Sequence, residues 1–250
     1  MRNGVDREKI IIVTTSWDDG HPLDVRLAKL LSSYGILGTF YVPLNYGPFP
    51  IMAAEQIRTL KAIGMEIGSH TQTHPVLTKL SRNQVLHELV ESKRILENVS
   101  GEPVVSLAYP KGKFNSTIHP WVAAAGYKLA RTTVSFRTEM EFAPLSMPVS
   151  FQFFRHPRTV HIRHALKERN LRGIMNWHRF WRMESDLVKL SELMLEHLFE
   201  CEGILHIWGH SWEIEEFGLW GLLEAVLSRV ANQRGVLYLT NSQTLEAIRQ

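Results

Sequence analysis

The chain has little cysteine and no long apolar run, and each absence excludes a class of protein. Cys201 is the only cysteine among 250 residues, so a scaffold held by intrachain disulfides is excluded, and we expect this thiol to be buried and inert. No apolar stretch is long enough to span a membrane. The charged start, residues 1–9, precedes an apolar run of residues 10–13 only, which predicts no signal peptide, no transmembrane segment and a cytoplasmic location.

The chain also lacks a Pro/Gly/Ser-rich linker, a repeat of fixed period and a low-complexity tract. Its 44% hydrophobic and 21% charged residues are ordinary for a globular protein. We therefore predict a single domain over residues 1–250. The net charge is only +3, but residues 155–182 hold eight Lys and Arg against one acid, Glu168. We treat residues 150–184 as a basic, aromatic insertion.

Short β-branched runs alternate with amphipathic stretches along the chain. The run at residues 10–15 precedes a helical stretch that ends at Gly35, and the run at 39–42 precedes a helix over 53–63. This alternation indicates an α/β protein with a parallel sheet. About seven such units predict a closed or nearly closed βα barrel, in which functional residues lie just after the strands.

Candidate catalytic side chains follow three of the predicted strands. Asp18 and Asp19 come after the first, His70 and His74 after the third, and His210 after a late one. Two histidines four residues apart and one carboxylate make a three-ligand metal site with an open position, as hydrolysis requires. Adjacent residues of an extended stretch point to opposite sides, so the second aspartate stays free to act as a base. Either motif alone is commonly a turn or a solvated pair, but their joint occurrence at strand ends favours a site.

These residues resemble the motifs of a known family. Residues 15–20, Thr-Ser-Trp-Asp-Asp-Gly, resemble the Thr-Phe-Asp-Asp-Gly motif of the polysaccharide deacetylases (carbohydrate esterase family 4), and residues 69–74 resemble their His-(Ser/Thr)-x-x-His motif. The resemblance implies a distorted (β/α)7 barrel. It also implies that Asp18 is the general base and that Asp19, His70 and His74 hold a divalent metal, usually zinc. The implied reaction is hydrolysis of an N-acyl group, expected to be acetyl, from an amino sugar or sugar conjugate.

The other family motifs match in part. Residues 108–112, Ala-Tyr-Pro-Lys-Gly, resemble the third motif, but Ala108 stands where the family often has arginine. Arg131 is the candidate to replace that arginine beside the base. The resemblance further implies that the Tyr109 backbone N–H holds the oxyanion and that His210 is the general acid. The fourth motif, Asp-x-x-Asp-Trp, is not found between residues 126 and 141, so we expect substrate handling to differ from that of chitin and peptidoglycan deacetylases.

Further side chains are assigned by their position around His210. Strand alternation puts His206 on the same face, and we expect it to be neutral inside the barrel because uncharged histidine is readily buried. Glu213 is expected to orient His210 or to contact substrate, although a plain acid at a helix N-terminus is an equal alternative. The residues predicted to contact substrate are Trp17, Arg131, Trp208 and Glu213.

The basic insertion allows two interpretations. A short helix could present Trp177 and Trp181 beside a cationic fringe, which suits anionic membrane headgroups or a phosphate-bearing ligand. An anionic or lipid-linked sugar and a location peripheral to the membrane would follow. Alternatively, the aromatic side chains pack on the barrel and the insertion is solvated. No nucleic-acid module is recognisable, so we expect no nucleic-acid partner; a homo-oligomer is left open.

Three rival functions use similar residues. The first is a deacylase or amidohydrolase of a small non-sugar amide. The second is an iron(II) oxygenase with two histidines and one carboxylate, which would leave the second aspartate unexplained. The third is a sugar-binding barrel without catalysis, against which the intact Asp18 and His210 argue.

Overall fold

The computed structural model describes residues 9–47 and 50–249. Over these ranges a parallel sheet of eight strands runs in the order β5-β4-β3-β2-β1-β7-β6, and β8 pairs with the start of β1. The strands are β1 (Ile11–Trp17), β2 (Gly38–Val42), β3 (Glu66–Ser69), β4 (Ser106–Ala108), β5 (Leu129–Arg131), β6 (Phe151–Gln152), β7 (Gly203–Gly209) and β8 (Val236–Tyr238).

Helices connect these strands and cover the outside of the sheet. They are α1 (Asp24–Ser33), α2 (Ala54–Ala62), α3 (Arg82–Ser100), α4 (His119–Ala124), α5 (Arg158–Lys167), α6 (Leu171–Arg179), α7 (Leu187–Cys201), α8 (Ser211–Glu216), α9 (Trp220–Val230) and α10 (Asn241–Ala247). The helix α3 shows how the sequence sets these bounds. The Gln84 side chain accepts a hydrogen bond of 3.0 Å from the Ser81 backbone N–H at its start, and Gly101 ends it in the left-handed conformation.

The centre of the sheet is buried on both faces. All seven residues of β1 are buried, as expected for a parallel strand between two packed layers. The sheet curls, and residues 147–150 bridge the gap between β5 and β7. Met147 pairs with Arg131, and the Ser150 N–H donates a hydrogen bond of 2.8 Å to the His206 carbonyl. The predicted α/β class and distorted barrel are confirmed.

The insertion differs from its sequence-based description. Residues 151–152 form β6 and so belong to the sheet, while α5 and α6 make up most of the remainder. Trp177 and Trp181 are fully buried, and Trp177 stacks on Phe136 with ring centroids 4.8 Å apart. Of the two interpretations of the insertion, the exposed tryptophan face is wrong, and the one in which the aromatic side chains pack on the barrel is correct for Trp177 and Trp181. These large rings gain more by packing against the barrel than by facing water.

Two further expectations can be compared with the structure. Cys201 lies exposed at the end of α7, so its predicted burial is wrong. Within residues 9–47 and 50–249, no helix combines the length and the apolar character that crossing a bilayer requires. Residues 1–8, on which the signal-peptide prediction rests, lie outside the described residues.

Candidate active site

The two adjacent aspartates lie where β1 ends. The Asp18 N–H donates a hydrogen bond of 3.0 Å to the Gly209 carbonyl and so continues the pairing with β7. Asp19 then turns into the left-handed region with φ 73°. A non-glycine residue rarely adopts this conformation, which is concentrated at functional turns. The reversal separates the two carboxylates, so that they can take different roles.

The loop that carries His70 and His74 is held by a residue that the sequence analysis missed. Glu88 of α3 accepts hydrogen bonds from the backbone N–H groups of Gln72, at 2.9 Å, and Thr73, at 2.8 Å, and from the Thr73 hydroxyl at 2.7 Å. His74 itself has a φ of 57°. On a helix face an acid is usually solvated, so no sequence signal distinguishes Glu88 from its neighbours.

Asp19, His70 and His74 form a buried cluster that fits a divalent metal. One ligand atom from each lies within 4.8 Å of the others, and the Nε2 atoms of His70 and His74 are 3.7 and 3.6 Å from Oδ1 of Asp19. The Nδ1–H of His70 donates to the Ala108 carbonyl at 2.8 Å, which leaves Nε2 as the lone-pair donor. Two imidazoles and one carboxylate match the ligand types of hydrolytic metal sites.

Asp18 is kept ionised by a buried arginine. Arg131 on β5 donates a hydrogen bond to its carboxylate. Burial raises the pKa of Asp18, but the charge of Arg131, followed by those of His70 and His210, outweighs this effect and lowers the pKa overall. Arg131 is fully buried, with its guanidinium 4.9 Å from the Trp208 ring centroid. Its predicted contact with substrate is therefore wrong, whereas it does contact the proposed base.

His210 carries a positive charge, opposite to that of Asp18. Its Nδ1–H donates to Glu213 at 2.7 Å, and its Nε2 lies 3.7 Å from Oδ2 of Asp19. Burial lowers the pKa of His210, but the hydrogen bond and charge of Glu213, with the charges of Asp19 and Asp18, raise it to about 9. The imidazole is therefore protonated at neutral pH. Glu213 orients it from behind and does not line the cleft, so its alternative role as a substrate contact is wrong.

His206 is the neutral barrel residue that the sequence predicts. It is buried, its Nδ1–H donates to the Pro148 carbonyl at 3.1 Å, and its Nε2 accepts from the Ser16 hydroxyl at 2.9 Å. Burial and then the charge of Arg131 lower the pKa of His206 to about 3.

The Tyr109 backbone N–H does not face the site. It donates to the Arg131 carbonyl at 3.3 Å as part of the β4–β5 pairing, so its predicted role as oxyanion donor is wrong. The chain continues into a 3₁₀ turn over Pro110–Gly112, in which Lys111 has φ 57° and lines the cleft. Gly112 has φ 62°, and a Cβ atom there would collide with the Thr133 hydroxyl. This close approach joins the turn to the segment after β5.

The cluster opens into one cleft of about 490 Å³. Asp18, Asp19, His70, His74, His210 and Trp208 line it as predicted. Trp17 does not, because it is fully buried in the core, where its Nε1–H donates to Thr15. Trp212, which was not predicted, lines the cleft and donates a hydrogen bond of 3.0 Å to Asp19. The other residues missed in the cleft wall are Tyr46, Lys111, Gly112, Lys113, Thr133, Ser135, Gln152, His164, Lys167 and Glu168.

Sequence comparison relates half of the chain to known proteins. The profile described as polysaccharide deacetylase matches residues 5–130. YxkH of Bacillus subtilis (strain 168), assigned as a polysaccharide deacetylase, is 28% identical over 128 residues, which are 50% of this chain and 45% of YxkH. The peptidoglycan-N-acetylmuramic acid deacetylase PdaC of the same organism is 30% identical over 118 residues, 46% of this chain and 24% of PdaC. The chain thus matches less than half the length of these relatives.

Structural comparison extends the likeness over the whole barrel. A Mycobacterium smegmatis structure, assigned as a polysaccharide deacetylase, has a TM-score of 0.70 at 20% identity and covers 98% of this chain and 92% of its own; at this identity the likeness shows the fold alone. The Streptococcus pyogenes deacetylase PplD in complex with acetate has a TM-score of 0.50 at 26% identity. The match covers 53% of this chain and 61% of the PplD chain.

The matched region and the site overlap only in part. Asp18, Asp19, His70 and His74 lie within residues 5–130, whereas Arg131 and the His210 segment lie beyond them. The barrel nevertheless brings both sets into one cleft. Half of the sequence matches the family profile, and the motif residues occupy one site in the same fold. The chain therefore belongs to the polysaccharide deacetylase family, carbohydrate esterase family 4.

Proposed function

We propose that this protein hydrolyses the amide bond of an N-acyl group on an amino sugar or sugar conjugate. The acyl group we propose is acetyl. One observation carries the proposal: a carboxylate held by arginine, Asp18, and an imidazole held by glutamate, His210, flank the Asp19–His70–His74 cluster in one cleft. A base and an acid on either side of a three-ligand cluster are the parts that amide hydrolysis needs.

Asp19, His70 and His74 would hold the metal, and zinc is the ion we propose because two imidazoles and a carboxylate are common zinc ligands. When bound there, a divalent ion supplies Lewis acidity to the amide carbonyl and acidifies a water molecule. The Trp212 indole N–H holds the other carboxylate oxygen of Asp19, which is the orienting contact expected behind a metal ligand.

Asp18 is proposed to take the proton of the attacking water. Its pKa lies below the ordinary value, so it is ionised at neutral pH and available as an acceptor. Arg131 fixes one oxygen of the carboxylate, while the other, Oδ2, is 3.9 Å from the His70 Nε2 and faces the metal cluster. A C–O bond forms to the acyl carbon as that proton leaves.

His210 is proposed to protonate the leaving nitrogen. The C–N bond breaks as the Nε2 proton moves to the amine, and the products are a carboxylate and the free amino sugar. Glu213 holds Nδ1–H and keeps the imidazole positively charged before transfer. For the oxyanion, we propose the backbone N–H of Lys111, a residue that lines the cleft.

We also propose that the insertion rests on an anionic membrane surface. Leu171 and Met175, one helical turn apart on α6, are 63% and 68% exposed, and Arg179 continues the same face. Exposed apolar side chains bordered by arginine suit the headgroup region of a bilayer with anionic lipids. Flotation with phosphatidylglycerol vesicles should carry the protein, phosphatidylcholine vesicles should not, and L171S/M175S should abolish the difference. Equal flotation of variant and parent would contradict this proposal.

A cytoplasmic location and a homo-oligomer stay predictions. Cell fractionation would check the location, and sedimentation velocity would check the oligomeric state.

The function is tested by elemental analysis of the purified protein together with acetate release from N-acetylated monosaccharides and chitin oligosaccharides. We expect about one zinc per chain and release that chelator abolishes. Metal without release from sugars, but with release from linear N-acetyl amides, would favour the small-amide hydrolase. Oxidation of a substrate with iron(II) and oxygen would favour the oxygenase, and sugar binding without turnover would favour the non-catalytic barrel.

A further inference from the structure

One wall of the cleft is basic. Lys111 and Lys113 come from the loop around the 3₁₀ turn after β4, and Lys167 comes from the end of α5 in the insertion; all three line the same cavity as the metal cluster. Among the described residues, none of the three ammonium groups has a carboxylate within 4.0 Å. Elsewhere in the protein lysines do pair, as Lys93 with Glu97 at 2.7 Å.

The single acid on this wall does not neutralise it. Glu168 accepts a hydrogen bond of 2.8 Å from the Thr133 hydroxyl, which holds the carboxylate against the segment after β5. Burial raises the pKa of Glu168, although Lys113 and Lys167 lie near enough for their charges to act against the rise. Two of the three lysines are thus close to the same carboxylate, and the wall keeps an excess of positive charge.

The basic wall adjoins the metal cluster. Lys111 lines the same cavity as His70 and His74. Gly112 brings the turn against Thr133, so the backbone that carries Lys111 and Lys113 is close to Glu168 and the end of α5. A substrate whose acyl group lies at the cluster would extend along the three lysines within one cavity of about 490 Å³.

We propose that Lys111, Lys113 and Lys167 form a subsite for a phosphate group on the substrate, so that the protein deacylates a phosphorylated amino sugar. This inference rests on the proposed function. Lysine is a compact point charge with three hydrogen-bond donors and is a common binder of phosphate groups. The unpaired positive charge in a concave site also raises the rate of encounter with an anionic substrate.

The test compares three substrates on the zinc-loaded protein. They are the neutral methyl glycoside of N-acetylglucosamine, N-acetylglucosamine 1-phosphate, and the octyl phosphodiester of N-acetylglucosamine 1-phosphate, which is a lipid-like form. The variant is K113Q/K167Q. The control is K128Q, which removes the same charge from an exposed lysine that does not line the cleft. Acetate release gives kcat/KM, and calorimetry measures the binding of N-acetylglucosamine 1-phosphate independently of turnover.

We expect the parent protein and K128Q to prefer a phosphorylated substrate over the neutral glycoside. K113Q/K167Q should reduce that preference roughly tenfold or more, mainly through KM, because hydrogen bonds to charged groups are the stronger ones. A preference for the diester would indicate a lipid-linked source, and one for the monoester a free sugar phosphate.

Two results separate this inference from the proposed function. If the neutral glycoside is deacetylated but phosphate gives no advantage, or if K113Q/K167Q affects all three substrates equally, the subsite is overturned and the deacetylase stands. If no sugar releases acetate, yet calorimetry shows binding of the 1-phosphate that K113Q/K167Q weakens and K128Q does not, the subsite stands and the deacetylase fails.

Discussion

Arg131 reaches Asp18 from the strand position opposite Ala108. The two residues are register partners across β4 and β5, and the guanidinium of Arg131 donates a hydrogen bond to the carboxylate of Asp18. The arginine missing from the third motif is therefore supplied by the neighbouring strand. As register partners, Ala108 and Arg131 present their side chains on the same face of the sheet.

Removing Arg131 should harm both stability and turnover. R131A leaves a buried carboxylate without its partner, a change that costs about 3–5 kcal/mol in other proteins, and we expect a lower free energy of unfolding and little acetate release. The double variant A108R/R131A returns an arginine to the adjacent strand and should regain part of the activity. Thermal unfolding and kcat/KM check both. R131A as active as its parent would remove the role given to the arginine.

Variants of the proposed base and of the proposed metal ligands should differ in metal content. D18N should retain zinc and lose turnover roughly 100- to 10,000-fold, because the amide cannot accept the water proton. H74A should lose both zinc and turnover. Elemental analysis beside acetate release distinguishes the two variants, and full activity in D18N would rule out Asp18 as the base.

Glu213 should set the alkaline limit of activity. Its hydrogen bond and charge hold the pKa of His210 at about 9, and a general acid must be protonated to work. In E213Q the pKa of His210 should fall, so the alkaline limb of the kcat/KM profile should move to lower pH by up to about two pH units. E215Q changes an exposed acid of the same helix, which pairs with Arg26, and should leave the limb in place. An unmoved limb in E213Q would contradict the assignment of His210 as the acid.

Glu88 should control the affinity for metal without touching it. Its carboxylate holds the loop between His70 and His74, the two proposed metal ligands. E88A should therefore weaken zinc binding roughly 10- to 100-fold, as the loss of outer-shell contacts does in other sites. E91A is the matched control, because Glu91 lies on the same helix and pairs only with Arg94 among the described residues. Competition with a chromophoric chelator measures both variants, and equal affinities would show that the loop is held by other contacts.

Alanine substitutions at Gly112 and Gly101 compare a crowded position with an open one. Both have positive φ, 62° and 74°, but a Cβ atom would collide with Thr133 at Gly112 and meet nothing within 4 Å at Gly101. G101A should cost about 1–2 kcal/mol of unfolding free energy from backbone strain alone. G112A should cost more and should also lower activity, because the turn carries Lys111. Chemical denaturation compares the two, and equal losses would mean that the Thr133 contact yields easily.

Several features of the site follow from local sequence. Strand periodicity and the turns after each strand predicted which residues would gather at one rim, and Asp18, Asp19, His70, His74 and His210 do line one cleft. Parallel strands all end at the same edge of the sheet, so their order need not be known for this prediction to succeed.

Other features depended on side chains far apart in the sequence. Trp17 was expected at the substrate and is buried, because its side chain points into the core. The Tyr109 N–H was expected to hold an oxyanion and instead pairs with β5. Glu88 was overlooked because acids on helix faces are common, and only the packing of α3 against the histidine loop gives it a role.

The sequence by itself determined the α/β barrel and the family, and it predicted which aspartates and histidines would share one site, because each depends on residue spacing along one strand or turn. The sequence offered Arg131 as the partner of Asp18 and left the burial of Trp177 open. The tertiary structure decided both, and it alone brought Lys111, Lys113 and Lys167 to one wall. Those contacts depend on strand order, register and the docking of the insertion, which bring together side chains that no local pattern relates.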